Sequence, residues 1–308
     1  MNDIRALLGG VGIWGHLASM PAPRLRPFVG RAAELRYGTL WVGEATARDP
    51  FAQLGALAEA SDGMTLGTSI VNIFGRDAMA AKMGAMTLHE LTGGRFILGL
   101  GVSHVHLVEK LRGHAYERPL THMREYLEAY RRLPYRGPTL SGDDGQPTES
   151  PVLLAALRRR MLELAATAAD GALPFLVSTP RVAWMREVLD AAAPADYPRP
   201  VLAVTLPVVI ESDPGRARLA GRAWIEPYCR AVNYQASLSE QGFSAADWAA
   251  PYSDRLIDAI VAWGDTQAVR ARIDAMHDAG ADHVAVIPLA EDGSAEHLPT
   301  LEALAPRA

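Results

Sequence analysis

His104 stands at the end of an apolar run, Phe96-Ile97-Leu98-Gly99-Leu100-Gly101, with Ser103 before it and His106 after it. An imidazole with an ordinary pKa of ~6.5 can take or give a proton near neutral pH, so His104 is a candidate for proton transfer. The same layout occurs earlier in the chain. Val11 to Trp14 ends in Gly15 and His16, Leu40 to Gly43 ends in Glu44, and Met64 to Val71 carries Ser69 and is followed by Asn72. Further on, Val152 to Leu157 runs straight into Arg158, Arg159 and Arg160. Cations in the first turn of a helix oppose its macrodipole. They read either as three solvated arginines or as guanidinium forks that grip a phosphate together with the helix N–H groups. The chain has no carboxylate pair, no HExxH and no GxSxG. It lacks the equipment of a hydrolase, and the pattern suits a cofactor that carries the chemistry itself.

The elements that must position these residues alternate. Eight apolar strand candidates lie near Val11, Leu40, Leu66, Ile97, Leu153, Ala172, Ala203 and Val286, with helical patterns between most of them. Strands this apolar are buried on both faces, as in a parallel sheet covered by helices. Asp49-Pro50 reads as an N-cap followed by the first helical position, and Gly93-Gly94 as a helix stop. Eight such units in this length predict an α/β fold of the closed (β/α)₈ TIM-barrel type, with polar strand ends collected at one mouth. A doubly wound open sheet is the alternative. It is disfavoured because no GxGxxG links the first strand to the first helix. Gly99 and Gly101 are expected to leave room for a flat ring against the backbone. Residues 134–151 read as a loop insertion and residues 213–263 as a largely helical one, within a single barrel domain over 1–308. Trp224, Tyr228 and Tyr234 in the helical insertion read as a lid or a dimer contact.

The bulk numbers exclude several classes. A chain of 308 residues with 49% hydrophobic content builds a full core, and a net charge of −5 offers no basic field for nucleic acid or anionic membrane. The single cysteine, Cys229, excludes an internal disulfide, and no Cys/His group has zinc-site spacing. No apolar run has membrane-spanning length and MNDIRALLGGVG lacks a signal-peptide layout, so a cytoplasmic protein is expected.

The runs LWVGE (40–44), LGTSIVNIFGRD (66–77) and LHELTGGRFILGLGVSH (88–104) together resemble the luciferase-like monooxygenase superfamily, in its coenzyme F420-dependent oxidoreductase branch. LAALRRRMLELAATAADGALPFL (154–176) and AWGD with AGADHVAV near the end are similar to later landmarks of that branch. The resemblance implies a bacterial luciferase-like TIM barrel with a flavin-like ring at its C-terminal mouth, acting on a small molecule as a homodimer. It implies a non-proline cis peptide at Ser69–Ile70 that backs the ring. It places Glu44 at the ring's polar edge, Asn72 and the main chain of Val102-Ser103 against the cofactor, and Leu157, Arg158, Arg159, Arg160 and Met161 at its phosphate.

Two departures narrow the expectation. Many relatives have a glycine pair where Leu157 and Arg158 stand, so the arginines either clamp the phosphate or block the pocket. F420-dependent sugar-phosphate dehydrogenases carry a histidine and a glutamate where this chain has Ala45 and His104, so that activity is not carried over. The expected function is hydride transfer between F420 and a small organic substrate, with His104 and His16 as catalytic candidates. The alternatives are an FMN-dependent monooxygenase and a non-catalytic barrel that has lost its cofactor. A sugar-phosphate isomerase is disfavoured, because several strand ends lack a glutamate or lysine.

Overall fold

The computed structural model describes residues 3–306. Its eight barrel strands are β1 (Val11–Trp14), β2 (Thr39–Val42), β3 (Thr65–Thr68), β4 (Phe96–Gly101), β5 (Val152–Leu154), β6 (Gly171–Ala172), β7 (Val201–Ile210) and β8 (His283–Pro288). All pair in parallel, and β8 closes the cylinder by pairing with both β7 and β1. Two short segments sit outside this ring. Val71–Asn72 runs beside β4 after a break that follows β3, and Ala262–Gly264 runs beside β7. The eight strands fall where the hydrophobic pattern puts them.

Strand alternation divides the interior into two cores. Leu98 and Leu100 of β4, with Val284 and Val286 of β8, face the layer between sheet and helices. Ile97, Ala285 and Ile287 face the barrel axis, and this inner core continues upward into Trp14, Leu173 and Trp224. The outer helices begin where aspartates supply N-caps. Asp49, Asp77, Asp213 and Asp265 each accept a backbone N–H at the start of Pro50–Leu57, Ala78–Leu91, Pro214–Cys229 and Thr266–Asp278.

Several expectations shift at their edges. Residues 134–151 form a loop with a single antiparallel bridge, Ser141 to Pro147. The segment 213–263 holds the helices Pro214–Cys229, Val232–Glu240, Ala245–Trp248 and Asp254–Ile260, but its end is the short strand at Ala262. The strand expected near Ala172 is only two residues long, Gly171–Ala172, and Leu176 beyond it takes a positive φ. Among the described residues, no helix is long and apolar enough to cross a membrane.

Gly99 and Gly101 do not serve the ring directly. A Cβ on Gly99 would collide with the Thr68 carbonyl and Leu173, and one on Gly101 with the Ile70 side chain. The space is filled by protein. Thr68 Oγ1 donates to the Gly99 carbonyl and accepts the Gly99 N–H, both at 2.9 Å. These glycines let the end of β3 fold inward over β4.

Candidate active site

A cavity of about 1260 Å³ opens at the C-terminal mouth of the barrel. That exceeds the usual size of a site for one small ligand, ~300–1,000 Å³. It draws residues from the ends of six consecutive strands and from the helical insertion: Trp14 at the end of β1 and His16 just beyond, Glu44 after β2, Ser69 and Ile70 after β3, Val102 to His104 after β4, Ala155 to Met161 after β5, Leu173 and Phe175 after β6, and Tyr228 and Tyr234 from the insertion. His16, His104, Glu44, Ser69, Ile70, Val102, Ser103, Leu157, Arg158, Arg159, Arg160 and Met161 therefore all reach one space.

Asn72 does not. It is buried, its side-chain oxygen accepts the Phe74 N–H at 2.9 Å, and it is absent from the cavity wall. The polar side chain expected against a cofactor is spent on closing a local turn.

The floor of the cavity is the bulge after β3. The Ser69–Ile70 peptide bond is cis, as the resemblance implied. Glu44 holds this bulge from beneath. Its N–H donates to the Ile70 carbonyl at 3.0 Å, and its Oε2 accepts the Asn72 N–H at 2.6 Å. Arg76 donates to both carboxylate oxygens and Arg112 adds a further bond to Oε1. A carboxylate offers about four acceptor positions, and four donors occupy them. Glu44 lines the site, but its capacity is committed to bracing the bulge rather than to a ring edge. The Trp14 indole N–H adds a bond to the Ser69 carbonyl at 3.2 Å.

His104 is the residue whose chemistry the structure changes most. Burial, helped by the neighbouring His106, pushes its pKa down to about 4. It is therefore neutral at pH 7, not poised between forms as an ordinary histidine would be. Its Nδ1 is buried without a partner, an uncommon state for a buried polar atom. Burial also lowers His16, which stacks at a tilt 5.7 Å from Trp14. Both candidates present neutral imidazoles to the cavity.

One edge of the cavity is cationic. The helix Arg159–Ala168 begins at Arg158 with no side-chain cap, and Arg158 to Arg160 are exposed at its start. Arg159 reaches Glu163 only at 3.9 Å. Arg181 sits behind this turn, donating to the Leu157 carbonyl at 2.7 Å and to Glu240 at 2.6 Å while lying 3.7 Å over the Trp184 ring. The backbone that leads into the helix is thereby fixed, and the arginines ahead of it face open space.

Several wall residues carry no signal in the one-dimensional pattern. Phe175 lies past the end of a two-residue strand, and Tyr116 and Asn233 come from a loop and a distant helix that meet over the Ser103 carbonyl. Phe175 is the one that a strand-end rule could have found. Tyr228 and Tyr234, open between lid and dimer contact in the sequence, form cavity wall against Phe175. Glu296, with a φ of 64° in the loop after β8, has a buried unpartnered Oε1 and a pKa raised by burial to about 7.

A parallel eight-stranded barrel with its cavity floored by a cis bulge after β3 and edged by the helix after β5 defines a cofactor-dependent barrel enzyme class. A family model described as luciferase-like monooxygenase matches residues 5–283. The chain belongs to that family and is one of its oxidoreductases. It is 29% identical to a candidate coenzyme F420-dependent oxidoreductase of Mycobacterium tuberculosis, over 96% of this chain and 97% of the relative. It is 28% identical to a 5,10-methylenetetrahydromethanopterin reductase of Methanolobus tindarius, over 50% of this chain and 51% of the relative. An F420-dependent secondary alcohol dehydrogenase in complex with an F420-acetone adduct shares the fold, with a TM-score of 0.73, 15% identity and 96% of each chain covered.

Proposed function

We propose that the protein transfers hydride between coenzyme F420 and a small organic substrate at this mouth. The observation that carries the reading is the pairing of an uncapped, arginine-edged helix start with an apolar, bulge-floored space in one cavity. A flat ring with a phosphate-bearing tail requires those two environments side by side. The near-full-length likeness to the mycobacterial relative supports F420 as that group. When bound, a deazaflavin supplies a carbon that gives or takes a hydride, while the protein supplies position and proton handling.

In this reading the helix N–H groups and Arg158 to Arg160 hold the phosphate, and the bulge at Ser69–Ile70 with Val102-Ser103 seats the ring. Neutral His104 accepts a proton from a substrate hydroxyl in the oxidative direction, and its low pKa returns that proton readily in the reverse one. His16 orients the substrate from the facing strand end. The aromatic wall and the Tyr116–Asn233 contact over Ser103 exclude water from the reacting atoms.

Titrating the purified protein with F420 and with FMN, following the fluorescence of each, tests the reading. Tight FMN binding without F420 binding would overturn it in favour of an oxygen-using monooxygenase. Replacing Arg158 and Arg159 with Gly should weaken F420 about tenfold or more, as loss of charge-assisted phosphate contacts does. Improved affinity would show that the arginines obstruct the site.

A further inference from the structure

We propose that the aromatic half of the cavity is a substrate site for neutral, apolar ring compounds bearing a single hydroxyl or carbonyl, and that it rejects their ionised isosteres. The inference rests on the reading above in one respect: with Arg158 to Arg160 engaged by a cofactor's phosphate, those charges are not open to the substrate.

Phe175 is the centre of this half. Its ring centroid lies 5.5 Å from Trp14, 5.1 Å from Tyr228 and 6.0 Å from Tyr234, at interplanar angles of 53°, 50° and 43°. Rings tilted in this way form a wall that takes another ring by edge or offset contact, which adds to burial. Tyr234 lies 5.0 Å from His104, so the wall ends at the neutral imidazole with the unpartnered Nδ1. Leu173 and Ile70 complete an apolar floor.

The charge inventory decides the substrate's ionisation state. The charged residues lining the cavity, among those described, are Glu44, Arg48, Arg158, Arg159, Arg160 and Glu240. Glu44 is saturated by Arg76, Arg112 and a backbone N–H. Glu240 is held by Arg181 at 2.6 Å. Arg48 donates to the Leu17 and Met20 carbonyls at 2.7 and 2.8 Å. The three remaining arginines, exposed at the start of the helix after β5, are those that the reading above assigns to the cofactor's phosphate. A carboxylate placed against Phe175 and Tyr234 would shed its hydration with no counter-charge left free to it. An ammonium would meet ring faces but no free carboxylate, with three guanidinium groups in the same cavity. A neutral hydroxyl or carbonyl needs one partner only. His104 offers a ring nitrogen. The Tyr228 and Tyr234 hydroxyls stay protonated donors, because burial pushes the first up to about 12 and the second further.

The test is calorimetric binding of three isosteres, 2-naphthalenemethanol, 2-naphthoate and (2-naphthylmethyl)trimethylammonium, to the full chain with and without F420. The neutral alcohol should bind at least about tenfold more tightly than either ion. Equal or tighter binding of the naphthoate overturns the proposal in favour of an anion site, and of the ammonium in favour of a cation cage. Phe175→Leu, which keeps apolar bulk and removes the ring, should weaken the alcohol about fivefold. Unchanged affinity would place the probe elsewhere and overturn the assignment. F420 binding is followed separately by the cofactor's own fluorescence. Its failure, with the neutral preference intact, would remove the cofactor reading and leave the substrate class standing.

Discussion

Two histidines sit at opposite ends of the same barrel, His283 fully buried and His104 partly so, and burial pushes each down to a pKa of about 4. At the closed end, His283 is satisfied on both ring nitrogens. Trp41 donates its indole N–H to Nε2 at 3.0 Å, and Nδ1 pairs with the Gly9 carbonyl at 2.7 Å. At the open end, His104 keeps Nδ1 without a partner and faces a cavity lined by rings. Their pKa values alone would not tell them apart. What separates a structural histidine from a working one here is unspent hydrogen-bonding capacity beside open space, which follows from the rule that buried polar groups normally find partners.

The comparison breaks most visibly through turnover. His104→Ala should lower kcat about 10²–10⁴-fold in the presence of saturating cofactor, the range ascribed to a positioned acid or base. Its thermal stability should change little, since no protein hydrogen bond to Nδ1 is lost. Turnover within threefold of the parent would show that His104 is no more catalytic than His283. The converse substitution, His283→Ala, leaves the Trp41 indole N–H and the Gly9 carbonyl unsatisfied around a void. It should cost on the order of 3 kcal/mol of stability, read as a lowered denaturant midpoint, while cofactor affinity per folded molecule stays the same. An unshifted midpoint would contradict the structural role given to it.

A smaller effect sharpens the contrast through pH. A histidine whose folded pKa lies below its unfolded value stabilises the fold at high pH, and that stability is lost as pH falls from about 6.5 towards about 4. Both histidines carry this sign. In His104→Gln the loss of stability across that window should be shallower than in the parent, measured by denaturation at pH 7 and pH 5. Glu296 acts in the other direction. Its carboxyl is raised to about 7, so the folded state holds a proton that the unfolded state has released, and stability falls as pH rises from about 4.5 to about 7. Glu296→Gln should flatten that fall by a fraction of its size, the group being partly solvated. An identical slope in the variant would remove Glu296 from the account.

Glu44 and Asn72 show why part of the site was legible in the sequence and part was not. Placing both at strand ends requires only the period of apolar runs, and that placement holds. Their roles depend on Arg76 and Arg112, which arrive 32 and 68 residues later in the chain and fill the Glu44 carboxylate. The glycines of β4 teach the same point. Their presence signals close approach, but only the fold shows that the approaching atoms are Thr68 and Ile70 rather than a ligand. Phe175 escaped notice because its apolar type reads as a continuation of the strand, whereas the strand stops at Ala172 and leaves it in the wall beyond.

The sequence by itself determined the eight-strand barrel, the mouth at which polar residues collect, and the arginines at the start of the helix after β5. These follow from hydrophobic periodicity and from the geometry that puts every parallel strand end on one face. The tertiary structure alone decided which polar groups remain free to act. Hydrogen-bond saturation and burial are set by atoms that long-range folding brings together, and no local pattern records them. Glu44 is thereby spent, His283 is silent, and His104 is left neutral with an unpartnered nitrogen beside an aromatic wall.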